Sequence, residues 1–142
     1  MPKRVSCGVA VTDGAHLLIG QAARSPLWDI PKGLAESGEE DLDAARRELR
    51  EETGLNASAE ALIPLGLHAY MPGKDLVLFL WRVEAMPDPA TLRCSTRVPL
   101  PGGKWVPEMI RFDTPPWDTA LPRLGKNMQR VLTALRAAIL RG

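Results

Sequence analysis

The sequence contains few residues that could build a zinc site from sulfur and nitrogen. Its 142 residues include two cysteines, Cys7 and Cys94, and two histidines, His16 and His68. The cysteines lie far apart, and neither has a partner at the spacing of metal ligands. We therefore expect no structural zinc site, and we interpret Cys7, which lies in an apolar run, as a small buried hydrophobic residue.

Long apolar runs are also missing. The apolar run near the N-terminus is too short for a signal peptide, and no stretch reaches the length of a membrane span. We therefore expect a cytoplasmic protein without a membrane partner. No repeat, linker or low-complexity tract divides the chain, so its length predicts a single domain over residues 1–142.

The overall charge gives no reason to expect nucleic-acid binding. Eighteen basic and 17 acidic residues leave a formal net charge of +1. The local charge is uneven, however. Residues 33–55 contain eight acidic residues and three arginines, whereas residues 119–142 contain five basic residues and no acidic one. The basic segment either steers an anionic substrate or forms a solvated helix face, and we favour the second interpretation.

Two turn signals organise the strand-like parts of the chain. Asp13-Gly14 and Pro72-Gly73 each join two apolar, strand-like runs. The Asp-Gly dipeptide is typical of a tight hairpin, because its residues tolerate positive φ angles. Two pairs of strands are therefore expected, one before and one after the acidic stretch.

The C-terminal third predicts a loop, a strand and a helix. Residues 86–104 are rich in proline and glycine, with a short strand expected near Cys94. The segment WVPEMIRFDT predicts a last strand with an irregularity at Pro107. The helix is predicted from apolar residues at helical spacing, namely Leu124, Met128, Val131, Leu132, Leu135 and Ile139. Together these elements favour a mixed sheet covered by helices.

The acidic stretch over residues 33–55 predicts a helix with two different faces. Ser37 and Glu40 form a candidate capping box at its start, and Gly54 is a natural stop at its end. The face expected to pack on the core carries Leu42, Ala45 and Leu49. The acidic face carries Glu48, Glu51 and Glu52.

Three carboxylates on neighbouring turns repel one another, at a cost of roughly a few tenths of a kcal/mol for each pair. They also lie near the helix C-terminus, where the helix dipole disfavours negative charge. A magnesium or manganese ion would reverse both effects, because hard divalent cations bind oxygen ligands. Arg47 lies four residues before Glu51 and can hold that carboxylate in place. From the three acids alone, a solvated acidic helix remains the alternative.

The order of residues in this stretch matches a known motif. The constrained positions are Gly33, Glu39, Arg47, Glu48, Leu49, Glu51, Glu52, Gly54 and Leu55. At every one of them the stretch resembles the Nudix box of the Nudix hydrolases, and the box covers about a sixth of the chain. The preceding segment WDIPKG resembles the strand-to-loop connection that leads into the box in these enzymes.

The resemblance implies an α/β fold of the Nudix type, an α/β/α sandwich with a mixed β-sheet between helices. It implies metal-dependent hydrolysis, by water, of a phosphoanhydride bond in a nucleoside diphosphate linked to another moiety. Mg²⁺ or Mn²⁺ would be the cofactor, and the implied metal ligands are Glu48, Glu51, Glu52 and the carbonyl group of Gly33. Glu51 could instead be the base that deprotonates the water. Glu39 would support the metal shell, and Arg47 would orient a glutamate.

Residues outside the box complete the candidate site. Glu108 is a second candidate for the catalytic base, and a surface acid on a strand edge is an equal alternative. Lys32, Tyr70 and Lys74 are candidate substrate-binding residues, because the lysines could reach a phosphate group and the segment HAYMPGKD resembles segments of nucleotide-hydrolysing Nudix enzymes. Trp28 could stack on a base, although a core position is the stronger interpretation.

The resemblance leaves several substrates open. The short chain and the WDIPKG segment favour dinucleoside polyphosphates and ADP-ribose. This preference comes from association within the family and does not follow from the residues themselves. Damaged nucleotides and 5′-triphosphate RNA are alternatives, and this RNA is the one nucleic-acid partner that we consider. A nucleotide-binding sensor without significant catalysis is disfavoured, because the box is intact and the chain has no room for a second domain. A homodimer is compatible with the family.

Overall fold

The structure, a computed structural model, describes residues 3–141, so the ends of the predicted domain at residues 1, 2 and 142 lie outside the described residues. Within this range the strands are β1 (Arg4–Thr12), β2 (Ile19–Ala22), β3 (Trp28–Asp29), β4 (Lys32–Leu34), β5 (Leu62–Met71), β6 (Lys74–Arg82), β7 (Arg97–Pro99), β8 (Trp105–Pro107) and β9 (Met109–Asp113). The α-helices are α1 (Asp41–Thr53), the single turn α2 (Trp117–Ala120) and α3 (Lys126–Leu140). Short 3₁₀ turns cover Ala59–Ala61, Pro89–Thr91 and Leu121–Arg123.

A four-stranded sheet in the order β4-β1-β6-β5 forms the centre of the fold. β1 runs parallel to β6, whereas β4 and β5 run antiparallel to their neighbours. The sheet is therefore mixed, as the sequence predicts. A smaller sheet in the order β3-β2-β9 and the hairpin β7-β8 complete the strands of residues 3–141.

Both faces of the central sheet are covered, which explains why its middle strands are apolar on both sides. Leu78 of β6 belongs to the same core cluster as Met128 of α3. The neighbouring Val77 points the other way and shares a second cluster with Leu49 of α1. The sheet thus lies between α1 and α3, which confirms the expected α/β/α sandwich.

The predicted apolar helix faces are confirmed. Ala45 and Leu49 are fully buried on the inner side of α1, and Leu42 packs beside them. The residues predicted to line α3 and the turn before it pack in the other cluster, with Leu135 only partly buried. Cys7 is buried, as expected. None of the helices in the described part of the chain is long and apolar enough to cross a bilayer.

The predicted tight hairpin at Asp13-Gly14 is wrong. An isolated bridge joins Thr12, the last residue of β1, to Leu17, which precedes β2, and β2 itself pairs with β3 and β9 in the smaller sheet. The carboxylate of Asp13 accepts two backbone N–H groups further along the turn, which widens the turn beyond two residues. The chain therefore folds back on the end of β1 only briefly before it joins the smaller sheet.

The predicted capping box of Ser37 and Glu40 is also wrong. α1 begins at Asp41 with Glu40 as its N-cap residue, and no side chain caps the first turn. A different pair forms earlier in the loop, where the carboxylate of Glu39 accepts the N–H of Glu36 at 2.9 Å and the N–H of Glu39 donates to the carbonyl of Glu36 at 3.0 Å. The side chain of Glu39 is also bonded to an arginine of α1, so its contacts rather than those of Ser37 fix the loop.

Two turn predictions that depend on glycine are confirmed. Gly54 ends α1 with a φ of +84°, and its N–H donates to the carbonyl of Arg50 at 2.8 Å. Gly73 has a φ of +78° in the turn between β5 and β6, where Met71 pairs with Lys74. Both positions require a left-handed backbone, which favours glycine.

The predicted last strand is split into two strands of different sheets. β8 pairs with β7, whereas β9 pairs with β2, and Glu108 occupies the bend between them. Pro107 ends β8, since proline has no N–H for a further ladder bond. The short strand expected near Cys94 lies a few residues later, as β7. The bend places Glu108 at the wall of the cleft described next.

Candidate active site

A cleft of about 470 Å³ brings most of the predicted site residues together. Its lining includes Lys32, Gly33, Arg47, Glu48, Glu51, Glu52, Lys74 and Glu108. Glu39 and Tyr70 are not part of the lining, but each contacts a residue that is: Glu39 binds Arg47, and the ring of Tyr70 lies 5.5 Å from the ammonium group of Lys32. The cleft therefore has an acidic wall from α1 and a basic wall from the strands.

The close approach of β4 to α1 explains the glycine at position 33. Gly33 pairs with Cys7 of β1, and a Cβ atom added to it would overlap the carboxyl group of Glu48. A larger residue at this position would displace the Glu48 side chain from the cleft. β4 can therefore lie against the acidic face of α1 only because Gly33 has no side chain.

Glu52 is the most deeply buried acid of the cleft. Its exposed fraction is 5%, and its Oε1 accepts the backbone N–H of Lys32 at 3.0 Å. Burial raises the pKa of Glu52 to about 9, and the negative charges of Glu48 and Glu108 also raise it. The hydrogen bond from the N–H of Lys32 lowers the pKa but does not outweigh burial. At neutral pH the carboxyl group by itself is therefore held mainly in its neutral form, and a nearby cation would favour ionisation.

Arg47 links Glu39, in the loop before α1, to Glu48 and Glu51 of the helix. It donates two hydrogen bonds to Glu39, at 2.9 and 3.0 Å, and one each to Glu48 at 3.0 Å and Glu51 at 3.1 Å. A further bond reaches the carbonyl of Leu34 at 3.1 Å. The hydrogen bonds from Arg47 lower the pKa of Glu39 to about 2. The same carboxylates stabilise the charged guanidinium group, so the pKa of Arg47 lies above its usual value.

Glu48 lies between opposing influences. Burial raises the pKa of Glu48, and the charges of Glu51 and Glu108 add to this effect, whereas Arg47 lowers it. The net shift is upward. Repulsion among the carboxylates of the acidic wall is therefore only partly compensated by Arg47.

The basic wall is organised around Lys32. Its ammonium group lies 3.1 Å from Oδ2 of Asp29. Burial opposes the charged form of Lys32, but Asp29 and Tyr70 outweigh it, and the pKa of Lys32 is raised. The pKa of Lys74 is lowered instead, by burial and by the positive charges of Lys32 and Arg4.

The family model described as the NUDIX domain matches residues 2–108. This chain belongs to the Nudix family. Two sequence relatives cover most of it. An uncharacterised 17.7 kDa protein of Enterobacteria phage T4, from the e-segB intergenic region, is 32% identical over 94% of this Nudix chain and 95% of its own length. An RNA pyrophosphohydrolase of Ruthia magnifica is 28% identical over 85% of this chain and 80% of its own.

Two solved structures resemble this Nudix protein in fold. A bifunctional NMN adenylyltransferase/ADP ribose pyrophosphatase of Francisella tularensis, complexed with AMP and a manganese ion, has a TM-score of 0.74 and 19% identity, and covers 97% of this chain and 42% of its own. An Ap4A hydrolase of C. elegans has a TM-score of 0.70 and 20% identity, covering 94% of this chain and 97% of its own. The family and these relatives indicate that this Nudix protein is a pyrophosphohydrolase.

The donor groups of the Nudix cleft fit a hard divalent cation. Glu48, Glu51, Glu52 and the backbone of Gly33 supply oxygen atoms only, which is the donor type that Mg²⁺ and Mn²⁺ prefer. Within residues 3–141, no three carboxylate, imidazole or thiol groups already stand at the spacing of a metal cage. Glu48 and Glu51 are bonded to Arg47 instead, so their side chains would rotate to gather around a cation.

Two features of this Nudix site were missed or only weakly indicated by the sequence. Asp29 lines the cleft and pairs with Lys32, and the only sequence signal was the three-residue spacing of an acid and a lysine in WDIPKG. Trp28 is half-buried against the core, and the guanidinium group of Arg123 lies 4.1 Å from its ring centre. This covering supports the core interpretation of Trp28 over base stacking.

Proposed function

We propose that the protein hydrolyses a phosphoanhydride bond in a nucleoside diphosphate linked to another moiety, with dinucleoside polyphosphates or ADP-ribose as the favoured substrate class. The observation that carries the proposal is the convergence of four glutamates, Glu48, Glu51, Glu52 and Glu108, on one cleft whose other wall holds Lys32 and Lys74. A diphosphate group carries negative charge that cationic partners neutralise. The lysines supply such partners on one wall, and the acidic wall can recruit others as metal ions.

Mg²⁺ or Mn²⁺ is the cofactor that we propose. The residues that would hold it are Glu48, Glu51 and Glu52 with the carbonyl group of Gly33. When bound, the metal would neutralise charge on the phosphates and lower the pKa of water. The burial of Glu52 supports this assignment, because a carboxyl group that is costly to ionise alone gains most from a neighbouring cation.

The supporting residues act through the glutamates. Arg47 is bonded to Glu39, Glu48 and Glu51, and we propose that it keeps these side chains oriented towards the cleft. Glu39 is held at the outer edge of the cleft by its hydrogen bonds from Arg47, and it supports the site through that arginine. Arg47 would therefore contribute to positioning without contacting the substrate.

Glu108 and Glu51 are the candidates for the base that takes a proton from the attacking water. Oε2 of Glu51 accepts a hydrogen bond from the guanidinium group of Arg47 at 3.1 Å, so this oxygen is already engaged by a cationic donor. The side chain of Glu108 bonds only to a neutral hydroxyl group among residues 3–141, at 3.0 Å. This difference favours Glu108 as the base and Glu51 as a metal ligand.

Lys32 and Lys74 are proposed to bind the phosphate groups of the substrate. Lys32 is fixed by Asp29, and Tyr70 lies beneath its ammonium group. Tyr70 is half-buried, so we assign it a part in fixing Lys32 and a smaller contact surface for the substrate. A lysine held in advance loses less conformational entropy when it binds a phosphate.

The choice of substrate class rests on likeness to relatives. The Ap4A hydrolase resembles this chain in fold over nearly its own whole length, which supports dinucleoside polyphosphates. The Francisella protein supports ADP-ribose as a second member of the favoured class. The similarity to an RNA pyrophosphohydrolase over 85% of the chain favours 5′-triphosphate RNA as a second candidate. A nucleotide sensor without catalysis remains an outcome of the test below.

The test is a screen for Mg²⁺-dependent hydrolysis of diadenosine tetraphosphate, ADP-ribose, 5′-triphosphate RNA and an oxidised nucleoside triphosphate. We expect turnover of at least one substrate by the wild-type protein. We expect a loss of roughly 10²-fold or more in Glu52→Gln, since a metal ligand is removed. Glu60→Gln changes an exposed glutamate outside the cleft and should behave as wild type. Nucleotide binding without turnover would support the sensor and overturn the enzyme proposal.

A further inference from the structure

The segment from Arg93 to Thr96 is anchored on the C-terminal end of α1. The backbone N–H and the hydroxyl group of Ser95 both donate to the carbonyl of Glu51, at 2.7 and 3.1 Å. The N–H of Arg93 donates to the carbonyl of Thr53 at 3.0 Å. The segment thus satisfies carbonyl groups that the helix itself leaves without partners.

Thr96 connects this anchor to Glu108, which lines the cleft. The N–H of Glu108 donates to the carbonyl of Thr96 at 2.9 Å, and the hydroxyl of Thr96 donates to Oε1 of Glu108 at 3.0 Å. A threonine hydroxyl has one proton, and a carboxylate is the stronger acceptor. The thiol of Cys94 lies 3.3 Å from the same hydroxyl oxygen and 3.4 Å from the carbonyl oxygen of Thr96, so its one proton has two acceptors on Thr96 and leaves the hydroxyl proton to Glu108.

The two contacts of Thr96 fix different parts of Glu108. The backbone bond places the Cα atom, whereas the hydroxyl bond selects one orientation of a side chain that rotates about three bonds. Oε2 of Glu108 makes no hydrogen bond to any group in residues 3–141, so it is available to a further partner. One carboxylate oxygen is thus held while the other is left for chemistry.

We propose that Thr96 is a positioning residue for the hydrolysis: its hydroxyl group holds the Glu108 carboxylate so that the second oxygen meets the attacking water. The inference rests on the proposed function, in which Glu108 is a candidate base. A general base must lie within about 2.6–3.2 Å of the group that it deprotonates, so a carboxylate free to rotate would be productive only part of the time. Because the same segment is bonded to the backbone carbonyl of Glu51, it also ties the backbone of Glu108 to the end of α1.

Thr96→Val tests the inference, because it keeps the side-chain shape and removes the hydroxyl. With diadenosine tetraphosphate and Mg²⁺ we expect kcat to fall about tenfold, a part of the roughly 10²- to 10⁴-fold that a complete general base supplies. KM should change by less than about twofold, since the metal ligands and lysines are untouched. Thr96→Ser restores the hydroxyl and should recover most of the loss.

Thr91→Val is the matched control from the same loop. The hydroxyl of Thr91 donates to the carbonyl of Asp88 at 2.7 Å, and the residue lies outside the cleft lining. We expect its kcat to equal that of the wild-type protein. Circular dichroism and thermal unfolding verify that all variants fold.

A double-mutant cycle separates positioning from a structural role. If Thr96 acts through Glu108, adding Thr96→Val to Glu108→Gln causes no further loss of kcat. A purely structural role lowers kcat again in that background. The inference is overturned if the losses are additive, if Thr96→Val turns over as wild type, or if serine does not rescue. A wild-type protein inert towards every pyrophosphate substrate would overturn the proposed function itself.

Discussion

The buried carboxyl group of Glu52 makes the stability of the metal-free protein depend on pH in a defined direction. Its pKa is raised from 4.5 to about 9 in the folded protein, chiefly by burial. The folded state therefore binds this proton more tightly than the unfolded chain does. Below about pH 4.5 both states are protonated and Glu52 imposes no cost, and the free energy of unfolding falls as the pH rises towards about 9.

The size of the effect follows from the width of the pKa shift. Each pH unit within the window is worth about 1.4 kcal/mol, so the cost accumulated between pH 4.5 and pH 7 reaches about 3 kcal/mol as an upper bound. Glu52→Gln cannot ionise, while its carbonyl oxygen can still accept the N–H of Lys32. The burial of an extra NH₂ group adds a constant offset, which does not depend on pH.

The assay is urea denaturation of wild type and Glu52→Gln in chelator at several values between pH 5 and pH 8. We expect the difference in unfolding free energy to move in favour of the variant by up to about 4 kcal/mol across this range. Glu60→Gln, which changes an exposed glutamate, should show no such trend. A difference between Glu52→Gln and wild type that stays constant with pH would refute the reasoning.

Two further predictions concern the contacts around Glu48 and Arg47. In Gly33→Ala the new Cβ would overlap the carboxyl group of Glu48, so we expect kcat to fall by about tenfold or more while the fold persists. The control is Gly125→Ala, whose Cβ would make only ordinary van der Waals contact. Equal activity of the two variants would contradict the prediction. Glu39 has its pKa lowered to about 2 by Arg47, so it stabilises the fold above its unfolded pKa and loses this effect as the pH falls towards 2. Acid titrations should show Glu39→Gln less stable than wild type at pH 6 and equal to it near pH 2, and a deficit that persists at pH 2 would count against this origin.

The parts of the fold that depend on local pattern were predictable from the sequence. The apolar spacing in α3, the stop at Gly54 and the turn at Gly73 are each fixed by neighbours within a few residues. The candidate residues of the box also follow from local order, because one helix presents Glu48, Glu51 and Glu52 on a single face. Their proximity to Glu108 could only be proposed.

The parts that depend on distant pairing could not be predicted. β1 and β6 are adjacent although about seventy residues separate them, and no local signal encodes that parallel pairing. The expected hairpin after β1 failed because the Asp13 side chain widens the turn and β2 joins another sheet. The contact of Thr96 with Glu108 arises in the same way, from two chain segments that meet beside the end of α1.

The failed capping box shows how tertiary contacts override a local motif. Ser37 and Glu40 have the spacing of a cap, but the helix begins only at Asp41. Arg47 binds Glu39 through two hydrogen bonds, and this pairing fixes the loop in another shape. A single domain over residues 1–142, the cytoplasmic location and a homodimer stay predictions.

The central claim is that the acidic wall of the cleft holds a divalent cation through Glu52 and its neighbours. Calorimetric titration of Mn²⁺, with AMP present, into wild type, Glu60→Gln and Glu52→Gln measures this directly. We expect binding to the first two proteins and affinity at least about tenfold weaker in Glu52→Gln, because a buried ligand is lost. The same isotherm for all three proteins, or no heat of binding in any of them, would contradict the claim.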